Sequence, residues 1–333
     1  MNKSKIKTTC FFLFVFIGLL FFYISAHPLY PFDADDWAYV SYRRFAAPIL
    51  GAWNPGKVLP ETVFPLVSSL GVYVIKPFVH DYLNSLMVSY GIFFSLVITV
   101  YVWTFCRWCK KKALLSGTLS LALSILFLLF HFLIFCGKLE NNYYLFYAGD
   151  LNCLFNYTLP AIVNASVVLY LDSGISMNLL ELKEEGFRIG LLFLFIYLSL
   201  FSNLYHSIIL SSYAFLRIVI SFFDRKKSGS LKGNMKRFLL DNSLPFIILI
   251  LWSVCLFYEW QGMRASYADG AIDIPLTLQF FFTADLGWNK IVVFLGFVLF
   301  FTAIIMAAGS VKKNSGSNEA RKYFISLSPG CFA

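Results

Sequence analysis

The densest group of chemistry-bearing side chains in the sequence is the stretch Pro31 to Val40, "PFDADDWAYV", where Asp33, Asp35 and Asp36 fall within four positions and Trp37 follows. Neighbouring carboxylates can take a proton from an alcohol such as a sugar hydroxyl, or hold a divalent cation (Mg or Mn) against a phosphate. Asp33 and Asp36 are three apart, so a helix would place them on one face with Trp37 close by. An aromatic ring beside carboxylates can also serve as a platform for a sugar ring. The same residues make an ordinary helix start at a membrane interface, with the acids accepting hydrogen bonds from the first N–H groups and Trp37 in the aromatic belt. Residue types alone leave both uses open.

What must position this cluster is a chain of 333 residues, 59% hydrophobic and 19% aromatic, with 14% charged residues and a mean hydropathy of +0.72. Such a composition excludes a soluble globular domain and predicts an all-α, polytopic membrane protein. A bilayer core of about 30 Å needs roughly 20 apolar residues per helix. Windows of that kind lie at about 9–26, 83–106, 113–136, 152–171, 243–260 and 289–309. The apolar run from Ile189 to Phe223 is too long for one straight span, and "SNLYHS" divides it into two short helices joined by a tight polar turn. About eight transmembrane helices result, with both termini on one side. The basic start and apolar core of the N-terminus resemble a signal sequence, but further spans follow, so an uncleaved anchor is expected.

Charge sets the orientation. The net charge is +9, and 19 of the 27 Lys and Arg residues fall on the side of the N-terminus, with seven on the other and Arg217 inside a span. That bias puts both termini in the cytoplasm and accounts for the positive charge without nucleic acid. The opposite side receives 11 of the 18 acidic residues, and its first loop, about 27–82, is the longest. Within that loop, "TVFPLVSSLGVYVIKPF" is apolar but interrupted by Pro65 and Pro77, and we read it as a helix lying in the outer interface. Residues 1–310 then form a single transmembrane domain. The polar tail, 311–333, reads as a disordered cytoplasmic end or as a truncated or frameshifted one.

Other candidates are scattered. His206 lies in the polar turn, where it could hydrogen-bond a sugar or a phosphate or could simply be a turn residue. His131, among Leu and Phe, reads as a helix-packing residue. Asn152 and Asn156 are four apart and share a helix face; with Asn164 they either point into a cavity or bond between helices. Arg264, in "EWQGMRASYADG", either clamps a phosphate or pairs with Glu259 and Asp269. Seven cysteines show no paired array with nearby histidines, so "CRWCKKK" is read as juxtamembrane thiols rather than a metal site.

An N-in first span, a long outer loop opening with an acidic pair, an interfacial helix and many further spans resemble the GT-C superfamily of membrane glycosyltransferases, which use polyprenyl-phosphate sugars. "DADDWAY" is similar to that superfamily's acidic motif in the first outer loop. The resemblance implies that Asp35 and Asp36 are the catalytic pair, with Asp36 the first choice for the base. "NPGKVLPE" stands where related bacterial proteins carry a Gly-Arg element, with Lys57 in place of Arg. "CLFNYTLPAIVNA" is similar to their aromatic-Asn-Tyr segment, and "LFSNLYHSIIL" to their tight helical hairpin. With that resemblance, Lys57, Asn156 and His206 in the matching segments, and Asp33, Trp37 and Arg264 from the reading of the residues themselves, are the expected substrate-binding residues. The implied activity is inverting transfer of a sugar from a polyprenyl-phosphate donor to a surface glycan such as O-antigen, at the outer face of a bacterial inner membrane. A polysaccharide polymerase or ligase, or a lipid-linked sugar flippase or transporter, would share the substrate. The first lacks its large late outer loop here, and the second lacks internal repeats.

Overall fold

A computed structural model describes residues 3–31, 33–41, 54–112, 115–133, 145–181, 186–227, 235–261 and 275. The described residues are helical and contain no strand. Helix α1 (Lys3–Phe21) continues as a π-turn (Phe22–Ala26), and the short α2 (Ala34–Ser41) follows it. A 3-10 turn (Pro55–Lys57) leads into α3 (Val58–Leu70), which runs on through a second π-turn (Gly71–Ile75) into α4 (Lys76–Val79). Then come α5 (Tyr82–Lys111), α6 (Gly117–Leu133), α7 (Leu151–Cys153), a third π-turn (Leu154–Thr158) and α8 (Leu159–Asp172). Last are α9 (Gly186–Leu200), α10 (Leu204–Lys227), α11 (Met235–Asp241) and α12 (Ser243–Gln261).

Among the described residues six helical stretches are long and apolar enough to cross a membrane: Lys5–Ala26, Pro55–Val79, Tyr82–Lys111, Leu151–Asp172, Leu204–Lys226 and Ser243–Gln261. Gly117–Leu133 and Gly186–Leu200 are apolar but shorter. Seven of the expected windows therefore meet helices, and the eighth, 289–309, lies outside the described residues, as do the tail and Arg264. The chain divides as expected at Phe201–Asn203, between α9 and α10. The apolar stretch of the first loop is also a helix, but a longer one than expected, starting at Pro55. Its length makes it a candidate span as well as a candidate interfacial helix.

Helix starts are fixed by local chemistry. Asp81 accepts a hydrogen bond from the Asn84 N–H at 2.7 Å and caps α5. His80, at φ 62°, turns the chain from α4 into α5 in two residues, a conformation His tolerates better than most side chains. The α3 to α4 helix folds back on the first turns of α5: Ser68 Oγ and Tyr90 OH are 2.8 Å apart, and Ser89 Oγ donates to Val67 O at 2.6 Å. Small residues permit this approach, since a Cβ on Gly71 would come within 3.1 Å of Ser85 O.

Two buried cores meet along the Leu151–Asp172 helix. The first lines one face of that helix from Leu151 to Leu169 and joins it to α1, α3, α5 and α6 through a stack of rings, with Phe64 and Phe155 4.2 Å apart and nearly parallel. The second joins its lower half to α9, α10 and α12. α8 runs parallel to α5, since Phe94 meets Phe155 near the start and Trp108 Nε1 donates to Asp172 Oδ2 at 2.9 Å near the end. His131 is the packing residue expected: its Nδ1 lies 2.7 Å from Phe127 O and its Nε2 3.3 Å from Tyr101 OH. Asn164 is buried and donates to Pro160 O and Ser199 O, each at 2.9 Å, so it bonds between helices rather than facing a cavity.

Candidate functional site

The three acids of "DADDWAY" do different things. Asp33 caps α2: its Oδ1 accepts the Asp36 N–H at 2.9 Å, and its carbonyl accepts the Trp37 N–H at 3.2 Å. Successive helix positions point about 100° apart, so when α2 lays one face on the bundle, Asp36 turns inward and Asp35 outward. Asp36 is completely buried, whereas Asp35 and Trp37 are exposed.

Asp36 is held by a distant helix start. Its Oδ1 accepts the backbone N–H of Asn152 at 2.8 Å, across 116 residues of sequence. Asp150 Oδ1 accepts the Cys153 N–H at 3.0 Å from the other side. Two carboxylates thus satisfy orphan N–H groups at the N-terminus of the Leu151–Asp172 helix, where the helix dipole favours negative charge. The buried Asp36 carboxyl also lies close enough to Tyr90 and Cys153 to act on them electrostatically. Asp36, the residue the resemblance favours as base, is therefore enclosed and bonded to backbone, and Asp35 is the member of the pair that faces out.

From Asp35 a line of amides runs along the same end of the molecule. Asn152 Nδ2 lies 3.5 Å from Asp35 Oδ2, the outer limit of a hydrogen bond. Asn156 Nδ2 donates to Asn152 O at 3.0 Å and also bonds its Oδ1. Asn203 Nδ2 donates to Asn156 O at 3.0 Å, and Asn203 Oδ1 accepts the Tyr205 N–H at 3.0 Å to cap α10. The next residue, His206, sits with its ring centre 6.2 Å from that of Tyr157. Of the expected residues, Asp33, Asp35, Asp36, Asn156 and His206 are thereby linked in one region, with Asp36 and Asn156 buried beneath the exposed Asp35.

Lys57 belongs to a neighbouring feature. Asn54 Oδ1 accepts the Gly56 N–H at 3.1 Å, and Leu59 N–H donates to Phe201 O at 3.0 Å, which ties the turn to the end of α9. The Glu259 carboxylate lies directly over Gly56, where a Cβ would stand 1.8 Å from Oε1. The half-buried Lys57 thus sits next to an acid of α12, and Glu61 is buried one turn further on.

His27 braces the segment that leads to Asp150. Its ring stacks between Phe22 and Tyr147, at 5.5 and 4.8 Å. Burial pushes its imidazole below the ordinary value of 6.5, against the opposing effect of hydrogen bonds to the Ala148 and Tyr147 backbone. Among the described residues no three His, Cys, Asp or Glu side chains converge where an ion could be held, and the three aspartates of the motif diverge. Sequence reasoning missed Asp150 as a cap, although "DLNC" has the spacing for one, and it did not single out Tyr157 or Asn203, although both lie in the segments "CLFNYTLPAIVNA" and "SNLYHS". The chain matches no family model, no characterised protein and no solved structure in these comparisons.

Proposed function

We propose that the chain is a membrane glycosyltransferase that moves a sugar from a polyprenyl-phosphate donor to a glycan acceptor, O-antigen-like, at the extracytoplasmic face of a bacterial inner membrane. The observation that carries this reading is the divided pair: Asp36 locked onto the N-terminus of the Leu151 helix, and Asp35 beside it, exposed at the head of a row of amides. An exposed carboxylate fixed by a rigid neighbour suits a general base, which must meet an acceptor arriving from water. Asp35 takes the proton of the acceptor hydroxyl as that oxygen bonds to the anomeric carbon. The bond from that carbon to the phosphate oxygen breaks on the opposite face, the phosphate leaves with its electron pair, and the anomeric centre inverts. Because the leaving group is already a phosphate, cations rather than an acid assist it, and Lys57 and Arg264 are the candidates, with His206 as a hydrogen-bonding partner of the sugar or phosphate. Asp33 and Asp36 hold the base in place, and Trp37 stands exposed beside it.

The test is the glycan profile of cells carrying Asp35→Asn or Asp36→Asn beside wild type, with protein abundance in the membrane measured. Asp35→Asn is expected to abolish one sugar at normal abundance, since loss of a general base costs roughly 10²- to 10⁴-fold. Asp36→Asn is expected to lower abundance as well. A glycan unchanged in Asp35→Asn overturns the reading.

A further inference from the structure

Along the whole Leu151–Asp172 helix Tyr157 is the one exposed residue, at 45%, while every other position is buried or half-buried. It stands in the π-turn Leu154–Thr158, the kind of local widening that often marks functional positions. Its surroundings are polar. Asn156 precedes it and bonds Asn203, and the His206 ring lies 6.2 Å away, inclined at 54°, so that the two rings are tilted rather than stacked. His206 Nδ1 is buried and has no hydrogen-bond partner among the described residues.

A buried ring nitrogen without a partner is costly, and an apolar occupant would leave it so. A group that lays a C–H face on a phenol ring while offering a hydroxyl to an imidazole meets both needs. A pyranose ring does this: its axial C–H bonds carry the slight positive charge that the negative face of an aromatic ring attracts, and its rim carries the hydroxyls. We propose that Tyr157 and His206 form a pyranose subsite, with the sugar's apolar face on Tyr157 and one hydroxyl bonded to His206 Nδ1 after a rotation of the imidazole that brings this buried atom to the surface. The identity of the occupant rests on the glycosyltransferase reading; the geometry of the subsite does not depend on Asp35 acting as a base.

The test reads binding, not transfer. The full chain in lipid nanodiscs is mixed with methyl β-glucopyranoside, methyl β-galactopyranoside or methyl N-acetyl-β-glucosaminide, and saturation transfer from protein to sugar protons is recorded by NMR. At least one glycoside is expected to be saturated at its C–H protons by wild type, by Asp35→Asn and by Tyr157→Phe. Tyr157→Ala and the bulkier Tyr157→Leu are expected to weaken binding about three- to tenfold, the loss of one aromatic face. His206→Ala is expected to weaken it as well. No saturation by wild type overturns the proposal, and so does unchanged saturation in both Tyr157→Ala and Tyr157→Leu. Sugar binding that persists beside an unchanged glycan in Asp35→Asn cells would remove the enzyme reading and leave the subsite standing.

Discussion

Adjacent aspartates with opposite exposures show how little residue type decides by itself. Asp36 is buried because a backbone N–H from 116 residues away reaches it, and Asp35 is exposed because it sits one helix position over. His27 makes the same point with a measurable consequence. Its folded value is depressed by burial, so the unfolded chain binds the proton more tightly. The stabilising contribution of neutral His27 is fully present above its ordinary value of 6.5 and is lost as the pH falls through the lower folded value. Thermal unfolding of the purified protein is therefore expected to shift to lower temperature as the pH of the buffer drops below about 6.5, and His27→Phe, which keeps the stack, is expected to remove most of that pH dependence. A His27→Phe protein with the slope of wild type would show that another group titrates. The acidic cluster itself was readable as a helix start, since Asp33 caps as its type and position predict. The split between Asp35 and Asp36 was not, because it depends on where a separate helix happens to begin.

At the scale of elements, apolar windows locate the helices well, whereas Pro55–Val79 has a length that fits a span and a place in the sequence that fits an interfacial helix. Geometry favours the second. α5 has 30 residues and is about 45 Å long at 1.5 Å per residue, against a hydrocarbon core of about 30 Å. If Lys110, Lys111 and Lys112 mark its cytoplasmic end, roughly the first ten residues stand beyond the core. The contacts that α3 and its extension make with α5 are at Ser85, Ser89 and Tyr90, within that projecting part. On that placement the exposed apolar stripe of Leu66, Leu70, Tyr73, Val74 and Phe78 would face the outer leaflet. The prediction concerns sidedness: Ala34→Cys and His80→Cys, each in a background freed of other accessible cysteines, are both expected to react with an impermeant maleimide added outside intact cells. Labelling of position 34 with position 80 protected would mean that Pro55–Val79 crosses the bilayer. Hydropathy alone could not separate these cases, because both bury one helix face and expose the other to apolar surroundings.

For the whole molecule, the decisive feature is that two cores share one helix. The Leu151–Asp172 helix is anchored at its start by Asp36 and Asp150 and at its end by Asp172, which accepts from Trp108 Nε1 at 2.9 Å and lies 3.8 Å from Lys112 Nζ. A carboxylate at a helix C-terminus is disfavoured by the dipole, so Asp172 depends on these partners for its place. Replacing it, or Asp36, leaves a buried donor unmet at one end of the shared helix, at a cost of about 1–3 kcal/mol each. The two sites are 136 residues apart in sequence and about 30 Å apart along the helix axis, too far to interact directly, so the costs should add to within about 0.5 kcal/mol. Were the two cores independent, each substitution would lower its own transition. Because the helix belongs to both, Asp36→Ala, Asp172→Ala and the double variant are each expected to unfold in one step, with the shift of the double variant close to the sum of the single shifts. Scanning calorimetry in detergent checks this. Two resolved transitions, one moved by each substitution, would mean that the halves on either side of the shared helix fold as separate units, and that a change at the inner end leaves the acidic pair at the outer end untouched.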